Sequence, residues 1–348
     1  MLVSQSSNKP LVRALCLPDL DKAIGGVKQL YRHVEHLISL GWDAAIITEG
    51  DGFRPSWFDS TAPTISLKES YLRGEINAAS TILILPETYL GADLTSFRGF
   101  NLSGLARIVF NQNAYYSYGL TPSNPVTASS LESFYDDPAV LQVLSISEDT
   151  HDFLAHNLSI PDERLSRVVN AIEPFFVDDQ PKTNRLHWMP RKNPDHVQAV
   201  LQGLQRSRVD HIGSWQGEPL ENLAHEHVAL RFAGARLFLA FGHPEGFGLP
   251  IAEAMASGCW VVGYSGGGGK ELFRFGASNE VSFGDWTGFI NSVHDCLKGF
   301  ATAPNEMNFR LKRQALAIRS LYGRQQELDS ISIAWERIAI QFEKWRLN

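Results

Sequence analysis

The sequence predicts an α/β fold in which the strands of parallel sheets alternate with helices over two domains. The chain has 348 residues, which exceeds what one ordinary hydrophobic core serves, so two domains are expected. An apolar run, a glycine-containing loop, a helix-like segment and a second apolar run follow one another at residues 11–48 and again at 237–262. Because each such segment joins two strands through a helix, it requires a parallel crossover.

The first of these segments begins with the apolar run 11–17, which predicts a strand. The glycine pair Gly25 and Gly26 follows, and apolar residues then recur over 27–38 at intervals of three and four residues. This spacing predicts an amphipathic helix. The run 44–48 predicts the next strand, so the glycine pair is expected in a strand-to-helix loop at the edge of a parallel sheet.

Polar residues follow further strands that are predicted for the same sheet. Those strands are the apolar runs 82–85, 108–110 and 143–146. Asn111, Gln112 and Asn113 come directly after the second run. Open α/β sheets bind ligands outside the carboxyl ends of their strands, so these amides are candidate contacts for a ligand. Amides that cap the strand end are the structural alternative.

The most informative stretch is 235–271, which carries glycines and acidic residues in its loops. A predicted strand ends near residue 241, and a helix is expected to begin at Pro250. Gly246 and Gly248 would let the backbone approach a ligand closely, and the helix start offers unpaired N–H groups to an anion such as a diphosphate. The carboxylates of Glu245 and Glu253 cannot bind phosphate. They are better interpreted as hydrogen-bond acceptors for sugar hydroxyls at the two ends of the diphosphate. This combination indicates a nucleotide sugar.

This stretch resembles, without a gap, the donor-site signature of the retaining GT-B glycosyltransferases of family 4, also called glycosyl transferases group 1. The resemblance lies in the order strand, Glu-Gly-Phe-Gly-Leu-Pro, Glu-Ala-Met-Ala, small residue, glycine, strand, Gly-Gly and Glu. It implies that Glu245 faces the transferred sugar and that Glu253 holds the ribose. Trp260 departs from the pattern, since the family usually has proline there. The other implied contacts are Gly246, Phe247, Gly248 and Leu249 to the donor and Glu271 to the acceptor or the sugar.

The resemblance also implies the domain organisation. A GT-B protein has two Rossmann-like domains whose parallel sheets face each other across a cleft, and a C-terminal helix that crosses back to the first domain. Residues 1–175 are expected to form the acceptor-side domain and 176–325 the donor domain. Residues 326–348 are expected to form the returning helix. In such a fold the pair Gly25 and Gly26 would approach the donor diphosphate or the acceptor, although a tight helix entry is the alternative.

Cations near the start of the second domain are candidates for binding the diphosphate. Relatives place an arginine and a lysine after the strand that is predicted here at 185–189, and Arg191 and Lys192 follow it. A cation there would offset the charge of the leaving group. The resemblance therefore makes Lys192 catalytic, with Glu245. The arginine partner, Arg191 or Arg185, stays open because neither has the usual spacing, and a solvated cation pair is the alternative.

Two departures from the family keep a non-catalytic alternative open. Relatives usually have a histidine near the sugar where this chain has Asn111–Asn113, and an amide does not exchange a proton at neutral pH. The segment before the signature is also short. It leaves room only for a helix at 196–204, a strand at 209–212 and a helix at 220–230. A GT-B protein that binds a nucleotide sugar or glycan without chemistry is therefore the alternative function.

Other motifs fit the chain less well. Residues 263–267 match Gly-x-Ser-x-Gly after a strand, which would make Ser265 a hydrolase nucleophile, but that interpretation leaves Glu245 and Glu253 without a role. The run 266–270 lacks the first glycine and the final Ser/Thr of a phosphate loop. No Gly-x-Gly-x-x-Gly follows the first strand, and there is no His-Glu-x-x-His. No cofactor or metal is expected.

Composition bounds the partners and the location. A formal charge of −7 argues against nucleic acid as a partner. The three scattered cysteines suggest neither disulfides nor a metal cluster. There is neither a membrane-length apolar run nor a signal-peptide core, so a cytoplasmic protein is expected. Residues 309–324 contain five cations and no acid, which fits a solvated helix face or a peripheral contact with the inner face of a membrane.

The sequence therefore predicts a metal-independent, retaining glycosyltransferase. It would move a hexose from a nucleotide diphosphate sugar to a saccharide or lipid-linked acceptor in the synthesis of a surface polysaccharide or another glycan. A GT-B epimerase or phosphorylase is an enzyme alternative. The nucleotide, the sugar, the acceptor, the linkage and the oligomeric state stay open.

Overall fold

The computed structural model describes residues 9–118, 128–207 and 214–347. The chain divides into two compact units. The first unit comprises Met1–Ile146, His151–Val168 and Leu328–Asn348, and the second comprises Ser147–Thr150 and Val169–Glu327. Within the described residues, every helix is too short or too polar to cross a membrane.

The first unit is built on a seven-stranded sheet with the order β3-β2-β1-β4-β5-β6-β7. Its strands are β1 (Leu11–Leu15), β2 (Ala44–Thr48), β3 (Thr64–Ser66), β4 (Thr81–Pro86), β5 (Ala106–Asn111), β6 (Val140–Ser145) and β7 (Leu165–Arg167). Its helices are α1 (Gly25–Ser39), α2 (Leu67–Leu72), α3 (Ala128–Tyr135) and α4 (Glu148–Asn157), whose first three residues belong to the second unit.

Neighbouring strands of this sheet pair in parallel. All residues of β4, β5 and β6 are buried, as expected for a parallel sheet with both faces covered. The chain runs outward from β1 in one direction to β2 and β3 and in the other to β4. The carboxyl ends of β1 and β4 therefore form a topological switch point, where open α/β sheets bind ligands. Gly25 and Gly26 begin α1 at this point.

The second unit is built on a five-stranded parallel sheet with the order β12-β11-β10-β8-β9. Its strands are β8 (Thr183–Trp188), β9 (Gln216–Pro219), β10 (Ala235–Ala240), β11 (Trp260–Gly263) and β12 (Ser278–Glu280). Its helices are α5 (Pro194–Arg206), α6 (His225–Gly234), α7 (Leu249–Ala256), α8 (Trp286–Thr302) and α9 (Pro304–Leu321). Here the switch point lies between β8 and β10.

The last helix, α10 (Arg324–Arg346), belongs to the first unit from Leu328 onward. Trp335 is buried in that unit, where its indole Nε1 donates a hydrogen bond to Nε2 of His33 at 2.8 Å. Burial lowers the pKa of His33 to about 3, so this imidazole is neutral and can accept the bond. The apolar stripe of α10 thus anchors the end of the chain on the first unit.

The predicted α/β class with two parallel sheets is confirmed. The predicted central strands are present, with shifts of at most three residues at their ends. The structure adds short strands that the sequence did not indicate, and β9 (QGEP) has no apolar residue except its proline. The strand predicted at 209–212 lies outside the described residues.

Candidate active site

Lys192 and Glu245 form an ion pair at the switch point of the second unit. Lys192 follows β8 and Glu245 follows β10, and these strands are neighbours in the sheet. Lys192 Nζ lies 2.7 Å from Glu245 Oε1, and the two side chains are 27% and 20% exposed. Lys192 Nζ also donates to the carbonyl of Pro244 at 3.2 Å. The structure therefore brings together the two residues that the sequence predicts as catalytic.

Asn193 fixes the loop that carries Glu245. Its backbone is left-handed, with φ of 51°, and Pro194 begins α5 directly after it. The Asn193 side chain donates to the carbonyl of Phe241 at 2.7 Å and to that of His243 at 3.2 Å. Asparagine tolerates this backbone conformation better than most residues. Asn193 is not among the predicted site residues, because its contribution depends on a turn that joins the two strand-end loops.

The run of four glycines after β11 lies directly against the Glu245 loop. Glu245 N donates to the carbonyl of Gly266 at 2.8 Å, and Gly268 N donates to the carbonyl of Glu245 at 3.0 Å. A Cβ atom on Gly268 would lie 2.0 Å from the Gly246 carbonyl oxygen. Close backbone packing therefore requires glycine here, and this packing fixes the backbone of Glu245.

Glu253 lies on α7 and is paired within the second unit. The helix begins at Leu249 after Gly248, whose φ is 84°. Glu253 is buried, and its Oε1 lies 2.8 Å from Nε2 of His225. The His225 ring makes edge contacts with Phe176 at 4.9 Å and with Phe175 at 5.4 Å between ring centroids. Sequence reasoning missed His225 because no spacing or motif connects it with Glu253.

Glu271 is buried, and protein donors bind both of its carboxylate oxygens. Oε2 accepts from the backbone N of Glu148 at 2.7 Å, and Oε1 accepts from the hydroxyl of Tyr322 at 2.8 Å. This carboxylate therefore ties together the start of α4 and the turn after α9. Its predicted contact with the sugar remains a prediction.

A stack of rings flanks the Glu245 loop. The His243 ring lies 4.1 Å from the ring of Phe283 at an angle of 20°, and His196 lies 4.8 Å from Phe283 at the same angle. His196 Nδ1 is 2.9 Å from the hydroxyl of Tyr264. Burial lowers the pKa of His243, which favours its neutral form. Arg191, the other predicted cation, is exposed at the end of β8.

In the first unit, Gln112 connects the end of β5 with the predicted glycine loop. Its Nε2 donates to the carbonyl of Gly26 at 3.0 Å, and its backbone N donates to Oε2 of Glu87 at 2.8 Å. Glu87 is buried after β4, and this burial raises its pKa to about 7. The structure thus brings together Gln112 and Gly26, and it adds Glu87 from the neighbouring strand end.

The two asparagines beside Gln112 are engaged inside the first unit. Asn111 is fully buried, and its amide donates to the hydroxyls of Tyr135 at 2.8 Å and Ser117 at 3.3 Å. Asn113 accepts from the backbone N of Tyr115 at 3.2 Å. Asn111 therefore has structural partners in the interior, Asn113 caps a backbone N–H group nearby, and Gln112 is the most exposed of the three.

We expect Glu87→Gln to change how stability depends on pH. The pKa of Glu87 is raised above its ordinary value of 4.5, so the folded state binds this proton more tightly than the unfolded state. Stability is then lost as pH rises between about 4.5 and 7. From pH 5 to pH 8, the wild type should lose about 2 kcal/mol of unfolding free energy through this group, and the variant should not. Urea denaturation at both pH values tests this, and equal losses in both proteins would contradict it.

Across residues 9–118, 128–207 and 214–347, no group of three or more His, Cys, Asp or Glu side chains is arranged to hold a metal ion.

Comparisons with known proteins agree with this arrangement. No protein-family model matches the chain. An α-1,6-glucosyltransferase of Actinobacillus pleuropneumoniae serotype 7 is 25% identical over 315 residues, which cover 82% of this chain and 85% of that protein. Sucrose-phosphate synthase from Thermosynechococcus elongatus has a similar structure, with a TM-score of 0.68, 13% identity and coverage of 95% of this chain and 99% of that one.

A second solved structure is that of HepE from Anabaena in complex with UDP and glucose. The two structures align with a TM-score of 0.67 and 14% sequence identity, over 94% of this chain and 99% of the HepE chain. The structural similarities confirm the predicted GT-B fold. The sequence relative adds a similarity, at 25% identity, to a glucosyltransferase.

Proposed function

We propose that the protein transfers a hexose from a nucleotide diphosphate sugar to a hydroxyl group of a saccharide or lipid-linked acceptor, with retention of the anomeric configuration, in glycan synthesis. The observation that carries this proposal is the 2.7 Å pair between Lys192 Nζ and Glu245 Oε1 at the switch point of the second sheet. A cation and an acid are thereby held where such sheets bind ligands. The start of α7 lies only four residues after Glu245.

In this proposal, Lys192 and the first N–H groups of α7 bind the diphosphate. The acceptor oxygen attacks the anomeric carbon while the bond from that carbon to the diphosphate oxygen breaks. The acceptor proton passes to the leaving diphosphate, so the products are a glycoside and a nucleoside diphosphate. Fixed positive charge beside the leaving group stabilises the negative charge that develops there. This charge comes from protein groups, and we propose that no metal is needed.

Glu245 would orient the sugar and stabilise positive charge at the anomeric carbon. Its loop is held by Asn193 and by the glycine run, so the carboxylate is fixed before the donor binds. A site that is already organised loses little free energy through reorganisation during the reaction. Glu253 would accept hydrogen bonds from the ribose. His225, whose Nε2 lies 2.8 Å from Glu253 Oε1, would orient the carboxylate. Gly25 and Gly26 are proposed to approach the donor diphosphate or the acceptor, and Gln112 to contact the acceptor or the sugar.

UDP-glucose is the first donor to test, because the sequence relative is a glucosyltransferase and HepE has been solved with UDP-glucose. We would incubate the protein with UDP-, GDP- and ADP-sugars, with and without saccharide acceptors, and measure the released nucleotide by chromatography. Acceptor-dependent release supports the proposal. Thermal stabilisation by a nucleotide sugar without nucleotide release would support the alternative of a binding protein. The observation that favours this alternative is that buried amides, Asn111 and Asn113, stand where relatives usually have a histidine. Turnover that requires inorganic phosphate and yields a sugar phosphate would indicate a phosphorylase.

A further inference from the structure

The outer face of α9 exposes large apolar side chains along one line. Phe309 is 60% exposed and Leu316 is 63% exposed. They lie seven residues apart, which places them on the same side of the helix about 10 Å from each other. Leu321 is also exposed, near the end of the helix. Single exposed apolar residues are common on protein surfaces, whereas an aligned pair on one helix face suggests a contact.

Exposed cations flank this line on both sides. Lys312 and Arg313 follow Phe309 by three and four residues. They therefore lie one helical turn further on, one on each side of the apolar line. The guanidinium of Arg313 lies 5.8 Å from the centroid of the Phe309 ring. Arg310 is directed inward, where it lies over Trp260 at 4.6 Å and donates to the carbonyl of Gly276. Two cations therefore remain at the surface beside the apolar line.

Acidic residues are scarce on this helix. Glu306 in the first turn is its one acid, and residues 307–324 contain neither Asp nor Glu. The whole chain has a formal charge of −7, so this face has the opposite sign from the protein average. Such a local excess of positive charge attracts an anionic partner by charge complementarity.

The inner face of α9 is anchored in the core of the second unit. Met307 and Leu311 belong to the main hydrophobic cluster, and Ala315 and Ile318 are also buried. The helix therefore keeps its orientation, and the outer face is a fixed feature of the folded unit.

We propose that the outer face of α9 docks the protein on an anionic lipid surface. Phe309 and Leu316 would enter the headgroup region, and Lys312 and Arg313 would contact the lipid phosphates. An apolar line flanked by cations is the pattern of helices that lie in the plane of a membrane interface. The long stems of Lys and Arg let the charged ends reach the headgroups while the apolar line is buried. This property is separate from sugar transfer and does not depend on it.

Flotation with lipid vesicles tests this proposal without any donor. The wild type should float with vesicles of phosphatidylglycerol and phosphatidylcholine and should stay unbound with phosphatidylcholine alone. Removing one interfacial cation lowers the partition by about fivefold, so a double replacement of Lys312 and Arg313 by Gln should lower it by more than tenfold. Replacing Phe309 and Leu316 by Ser should also lower the partition by at least tenfold, because it removes the apolar anchor.

A matched control lies on α10, where Ile333 and Ile340 are each 60% exposed at the same spacing of seven residues. Each isoleucine is followed by one acid and one cation, Glu336 with Arg337 and Glu343 with Lys344, so this line has no excess of positive charge. Replacing both isoleucines by Ser should leave vesicle binding unchanged. Equal loss in this control, no binding of the wild type to anionic vesicles, or binding that is indifferent to lipid charge would overturn the proposal. Unchanged melting temperatures would show that the variants fold, and unchanged transfer to a soluble acceptor would separate docking from catalysis.

Discussion

Glu245→Gln and Lys192→Met should each lower kcat for sugar transfer by about a hundredfold to a thousandfold, the usual cost of removing one preorganised charged group that acts in a transition state. The two side chains are 2.7 Å apart. Each replacement therefore removes one charge and leaves its partner without the counter-ion that positions it. Steady-state rates of nucleotide release with the donor that gives turnover provide the measurement.

The double variant distinguishes a catalytic unit from two independent contacts. Residues that act together are strongly non-additive, so the double variant should be about as slow as the slower single variant. Lys298 on α8 is an exposed lysine outside the site, and Lys298→Met should keep the wild-type rate. A Lys192→Met variant that also keeps the wild-type rate would contradict the role proposed for Lys192.

Gly268→Ala should destabilise the second unit by about 2–3 kcal/mol and should abolish donor binding. The added Cβ would lie 2.0 Å from the Gly246 carbonyl oxygen and 2.2 Å from its carbon. Both neighbours are backbone atoms, so relief requires the Glu245 loop to move. Chemical denaturation followed by tryptophan fluorescence measures the stability change, and titration with the nucleotide sugar measures binding.

Gly234→Ala is the matched control for this substitution. Gly234 lies at the end of α6 in the same unit, and a Cβ there would meet no heavy atom within 4 Å. This variant should stay within about 0.5 kcal/mol of the wild type, as expected for a substitution without a clash. If Gly268→Ala matched it in stability and donor affinity, close packing of the glycine run would not be what positions Glu245.

The sequence predicted the positions of Lys192 and Glu245, the core of the proposed donor site, from strand order together with the family resemblance. An apolar run identified the central strand β10, and the residues after parallel strands lie at one edge of the sheet. Glu245 could therefore be placed at that edge, whereas Lys192 was selected because the family resemblance places cations after the strand predicted at 185–189. The family resemblance then added the chemistry, which strand positions alone do not specify.

The missed features depend on contacts between distant parts of the chain. His225 meets Glu253 across 28 residues, and no periodicity connects a residue at a helix start with one inside another helix. Asn111 was placed correctly at a strand end, but that position does not specify whether its side chain turns inward toward Tyr135. Short edge strands such as β3, β9 and β12 have three or four residues, too few for an apolar period to be read.

The stereochemistry of the product tests the central claim most directly. With UDP-α-glucose, or the α-configured donor that the nucleotide-sugar panel identifies, and a saccharide acceptor, proton NMR of the isolated product reports the configuration at the new anomeric centre. In the proposed mechanism the acceptor attacks the anomeric carbon from the face that the diphosphate leaves, beside Lys192 and Glu245. This mechanism predicts an α-linked product. A β-linked product would contradict the proposed mechanism, and the absence of any transferred sugar across the panel would contradict the proposed function.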